Sequence, residues 1–173
     1  MPEGFALFFR QQMDSVTRVW VDEIYAERRT ELHSLLSYRE LVEHMPELLE
    51  ELARVLDEAA TYAEILEAVR RLRFHAQVRF QQGCLIDEVA RELIILRDVL
   101  NSFLWREGIS AMEGDIWELR DALRRVNTFV DELIAQTVLV YAANSRPNVR
   151  TRSSVWPPPR RRKTDFSPRD EHQ

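Results

Sequence analysis

Five ionisable residues flank one glycine at helical spacing: His75 and Arg79 before Gly83, then Glu88, Glu92 and Arg97 after it. An imidazole, a guanidinium and carboxylates brought face to face can move a proton, hold an anion, or lock two helices as a buried ion pair. If the chain folds back at Gly83, index sums put His75 opposite Glu92 and Arg79 opposite Glu88. At the helical rotation per residue, Glu92 lies roughly 55° from the centre of its apolar stripe and His75 roughly 100° from its own. Glu92 is therefore expected to be the more buried of the two. A buried carboxylate needs a cationic or hydrogen-bonding partner. The desolvation argument favours a polar clasp that fixes hairpin register. The functional reading is a signal-sensing pair, where protonation of His75 or a bound anion changes helix packing. Arg97, one turn beyond Leu93, reads as a surface or interhelical ion-pair partner.

Sharper chemistry is weaker on these residues. A histidine phosphotransfer bundle presents an exposed His followed by Lys-Gly three residues on, but here that slot reads Val78-Arg79. It stays as an alternative with His75 as acceptor. A globin-like, cofactor-binding sensor with His75 as haem ligand is a second alternative, resting on a lone histidine. The kinase pattern of His-Glu followed by Thr-Pro is missing. His33 and His44 are too scattered for a metal site, and no H-E-x-x-H or cysteine pair occurs. Four glycines form no Walker or Rossmann pattern. Cys84 reads as a packed thiol, reactive only if exposed at the following helix N-terminus. No catalytic constellation emerges, so the expectation is a protein that is no enzyme and carries no metal or cofactor.

The elements that must position these residues are helices. From Tyr62 to Trp105 the chain reads as two long helices folded back at Gly83, the core element. Ile65, Val69, Leu72, Ala76 and Phe80 make one stripe. Leu85, Val89, Leu93, Leu96, Leu100 and Phe103 make the other. The run Leu93–Leu96 is apolar throughout, which predicts burial on more than one side of the second arm. A helix over Glu3 to about Arg29 buries Phe9, Met13, Val16, Trp20 and Ile24. Ser37 with Glu40, Thr61 with Glu64, and Ser110 with Glu113 are three candidate capping boxes. Pro46 suits the first turn of a helix ending near Ala60. The last helix, about Ala111 to Ala143 unless Gly114 breaks it, carries a seam through Ile116, Leu119, Leu123, Val126, Val130, Leu133, Thr137 and Val140. That spacing serves a bundle core or a dimer seam; bundle packing is the commoner use. The fold class is all-α, an antiparallel bundle of about five to six helices.

Charge divides the chain. Residues 1–145 carry a net −10 and residues 146–173 a net +5. The tail over 144–173 holds Arg160, Arg161, Arg162 and Lys163 among prolines, with Val155 and Trp156 its one strong apolar cluster. It cannot bury enough surface to fold alone and is expected to be disordered. An acidic body repels phosphate, which argues against nucleic acid. No apolar run approaches the ~20 residues of a membrane span, and one cysteine fits a reducing cytosol. The expected domains are thus 1–143 and the tail, in the cytoplasm.

His75, Arg79, Gly83, Glu92, Leu96 and Arg97 spell H-x3-R-x3-G-x8-E-x3-L-R. That pattern resembles the N-terminal domain family of RsbT co-antagonist proteins, the RsbRD type, also found at the front of bacterial histidine kinases and stress regulators. The run Leu41 to Leu49 resembles the family's Pro-x-Leu-Leu helix start. Val130-Asp131-Glu132 and Tyr141 resemble its final helix. Likeness covers about residues 5–143. Leu93, Cys84 and Leu85 depart from it, replacing an aromatic after the glutamate and an aromatic and a capping serine after the glycine. The resemblance implies a helical sensory or regulatory domain that is not an enzyme. Family members are normally joined to kinase, PAS or STAS modules. Here only a short tail follows, so the implied output is contact with a separate kinase, antagonist or sigma-factor regulator, with a homodimer as a further expectation.

Overall fold

Two of the three capping boxes form as their spacing dictates. In the computed structural model, which describes residues 4–57, 60–108, 110 and 115–145, Ser37 and Glu40 cap one helix reciprocally and Thr61 and Glu64 another. In the third pair, Ser110 with Glu113, Glu113 falls outside the described residues, as do Gly114 and the tail from 146 onward. In chain order the helices are α1 (Gly4–Ala26), α2 (Leu32–Leu35), α3 (Tyr38–Val42), α4 (Met45–Asp57), α5 (Tyr62–Arg71), α6 (Arg73–Gln81) and α7 (Ile86–Phe103). A π-helical turn follows at Leu104–Gly108, then α8 (Ile116–Ser145). No strand occurs among the described residues. The fold is all-α, with five major segments (α1, α4, α5–α6, α7, α8) and two short helices between α1 and α4.

Helix α8, rather than the hairpin, is the spine. Its 30 residues span about 45 Å at the α-helical rise, and it packs on α4, α5, α6, α7 and the π-helical turn. Each hairpin arm lies far more against α8 than against the other arm. This corrects the expectation that the hairpin is the core element: the longest helix presents the longest buried seam, from Leu119 to Tyr141, so the others gather along it. Its seam points inward. Leu119, Val126, Val130 and Leu133 are at most 2% exposed within the single chain, and Leu123 is half-buried. The dimer reading of those positions is thereby corrected, because they already fill the bundle core. Ile116, at 57% exposure, leaves the seam. Helix α8 starts two residues past Gly114, where the Asp115 carboxylate accepts the Trp117 and Glu118 amides at 2.9 and 3.2 Å. That satisfies donors an uncapped start would strand.

Three local departures shape the site. The first arm bends at Leu72, where the amides of Leu72 and His75 bond three residues back, to Val69 and Leu72. Such tighter turns shift the helical register, so stripe angles drawn on an unbroken helix fail for α6. At the other end of α6, Gly83 adopts φ 80°. Its amide reaches the Phe80 carbonyl, while the Cys84 amide reaches Arg79, the Schellman closure of a helix end. The second arm then starts after Leu85, which caps α7 in extended conformation and is exposed rather than part of the stripe. Ile94 also faces outward, so the four-residue apolar run is buried at Leu93, Ile95 and Leu96 alone. Along α1 the expected stripe is buried at Phe9, Val16, Trp20 and Ile24, with Met13 packed beside it. Among the described residues no helix is long and apolar enough to cross a membrane.

Candidate polar site at the hairpin

The Glu92 carboxylate is the centre, 1% exposed on the inner face of α7. Arg79 forks onto it from α6, with Nη2 donating to Oε1 at 2.7 Å and Nε to Oε2 at 3.0 Å. His75 Nε2 lies 3.3 Å from Oε1. The opposition of His75 and Glu92 holds, whereas Arg79 does not meet Glu88. Arg79 stands one helical turn beyond His75, and its long side chain spans that turn, so both reach one carboxylate. The remaining Arg79 donors go to the Glu40 carbonyl (3.0 Å), the Leu41 carbonyl (3.0 Å) and Gln82 Oε1 (2.9 Å). All five guanidinium N–H groups thus find an acceptor. This is how a charge only 1% exposed is accommodated in the core.

Around this pair the other elements close in. The Trp20 indole of α1 donates to the Glu92 backbone carbonyl at 3.2 Å. The His44 ring, just past α3, stands edge-on to Phe74 and to His75, with centroids 5.0 and 6.3 Å away. Burial first, then repulsion from His75 and Arg79, pushes the His44 imidazole below its ordinary value. Glu88 serves a different purpose from the one expected. It accepts the Thr30 hydroxyl and, at 3.2 Å, the Glu31 amide, capping α2 from across the fold. At the turn itself, the Tyr141 hydroxyl of α8 donates to the Cys84 carbonyl at 2.8 Å. Cys84 is a buried thiol, and burial pushes it up. Arg97 pairs with Asp131 of α8 at 3.1 Å, partly exposed.

Electrostatics decides what the cluster can do. Burial pushes the Glu92 carboxyl up, but His75 and Arg79, by charge and hydrogen bond, outweigh it and hold it at about 2, against an ordinary 4.5. A depressed carboxylate stabilises the fold fully above its unfolded value, and that stabilisation is lost as pH falls towards the native value. The window runs from 4.5 down to about 2, and at the linkage rate per pH unit the loss is roughly 3 kcal/mol. Urea unfolding at a series of pH values checks this. The wild type should lose stability steeply across that window, and Glu92→Gln should show a distinctly flatter slope. An equal slope in both would assign the acid sensitivity elsewhere.

The same burial limits the chemistry. His75 is 4% exposed with Nε2 against a carboxylate, a poor position for receiving a phosphoryl group from another protein or for ligating a haem iron. A surface groove of about 920 Å³ between α1 and α7 is lined by Val19, Glu23, Ile95, Asp98 and Val99 among others and includes none of the cluster. Sequence reasoning missed Trp20, Thr30 and His44 as partners. Only Trp20 carried a hint, through its place in the buried stripe of α1.

Residues 14–155 match the model of the RsbT co-antagonist protein rsbRD N-terminal domain. The matched range spans His75, Arg79, Gly83 and Glu92, as well as Pro46 and Tyr141. Comparison with curated proteins and with solved structures returned no match. On the strength of a match over most of its length, the chain belongs to the RsbT co-antagonist rsbRD N-terminal domain family.

Proposed function

We propose that this protein is a non-enzymatic sensory or regulatory domain that acts through protein–protein contact in bacterial stress signalling, in the cytoplasm. The carrying observation is the Glu92–Arg79–His75 cluster. Its polar atoms are spent on one another and on the backbone of α3, which suits a part that sets helix arrangement and not one that turns over a substrate. Family membership supplies the pathway class. The partner in this reading is a separate kinase, antagonist or sigma-factor regulator. A homodimer would have to use surfaces other than the buried α8 seam.

The test is direct. Full-length tagged protein, mixed with purified candidate regulators from the host, should form a complex with one of them that survives gel filtration. The cognate output, kinase activity or antagonist binding, should change on complex formation. Failure with every kinase, antagonist and sigma-factor regulator of the host would overturn the proposal.

A further inference from the structure

Between α1 and α4 the chain makes a detour through two helices too short to stand alone. Helices α2 and α3 have four and five residues, far below the ~12–15 at which isolated helices become even marginal. Turns bound the detour at residues 28–29 and 43–44. Two polar ties, both supplied by the hairpin, hold it to the bundle, beside the ring contacts of His44 with Phe74 and His75. At its start, Glu88 accepts the Thr30 hydroxyl and the Glu31 amide and so caps α2. At its end, Arg79 donates to the carbonyls of Glu40 and Leu41, orphan acceptors in the last turn of α3. The apolar hold is narrow. Leu32, Leu36 and Leu41 are buried, while Leu35 and Tyr38 are more than half exposed.

We infer that residues 30–44 form a strap that opens from the bundle as one unit, held closed by Glu88 and by the Glu92-anchored Arg79. The Ser37–Glu40 capping box is internal to the strap and travels with it. Opening uncovers Leu32, Leu36 and Leu41 and the α3-facing side of Arg79. A buried cluster thereby governs what the surface offers. The inference rests on geometry alone, so it stands or falls independently of which partner the domain meets.

Amide hydrogen exchange on the full chain, read by mass spectrometry, tests it. Glu88→Ala should speed exchange about tenfold across both α2 and α3, the scale of losing a helix cap, with α7 and α8 unchanged. Thr30→Val spares the carboxylate but removes its hydroxyl donor and, with it, the local acceptor of the Leu32 amide; it should raise the same amides about threefold, and acceleration in α3 is the part that the local loss does not explain. It decides the matter if Glu88→Ala fails to fold. Acceleration confined to α2, equal acceleration in every helix, or none in the strap would each overturn the inference.

Discussion

Replacing Arg79 by methionine is expected to lower the unfolding free energy by about 3–5 kcal/mol, the cost of leaving a buried carboxylate without its cation. The figure belongs to the stranded partner more than to the bond. Arg79 and Glu92 are each 1% exposed, so neither can turn to water when the other goes. The carbonyls of Glu40 and Leu41 lose their donors as well. Chemical denaturation of the single and double variants separates these contributions. Arg79→Met with Glu92→Met should recover much of the loss, since apolar side chains of like volume often replace a buried ion pair at little cost. A double variant as unstable as the single one would show that the α3 carbonyls, not the carboxylate, carry the effect.

Trp20→Ala should cost about 3–5 kcal/mol, the range for emptying a large aromatic from a packed core. Trp20 is wholly buried on α1, and its indole N–H reaches the Glu92 carbonyl on α7. The side chain therefore joins the N-terminal helix to the helix that carries the central carboxylate. Trp20→Phe keeps most of the volume and loses the hydrogen bond, so a loss of about 1–2 kcal/mol is expected. Thermal or urea unfolding of both variants gives the comparison. Equal losses would mean that the bond matters more than the packing.

The two predictions concern residues that were differently legible. Trp20 belongs to a plain apolar stripe, and its burial could be read from spacing. Its bond to Glu92 could not, since nothing local links residues 72 apart in sequence. The pairing of His75 with Glu92 followed from simple opposition across Gly83. Assigning Arg79 to Glu88 failed because opposition treats side chains as equally long, and arginine reaches a full turn along the helix. Glu88 was then free for Thr30 and Glu31, in a segment with no periodicity to read. Helix α2, at four residues, is shorter than any stripe, and its cap comes from another helix.

By itself the sequence determined the helical class, two reciprocal caps, the turn at Gly83 and most of the inward stripes, because all of these depend on neighbours within a few residues; the likeness to a family was legible too, as an ordered pattern of residue types along the chain. Tertiary structure alone decided that α8 is the spine, that its seam is consumed within one chain, and that a single glutamate gathers contacts from α1, at its backbone carbonyl, and from α6, at its carboxylate. Those outcomes depend on which helix the others pack along and how far each side chain reaches across the gap, quantities that exist only once the helices have packed.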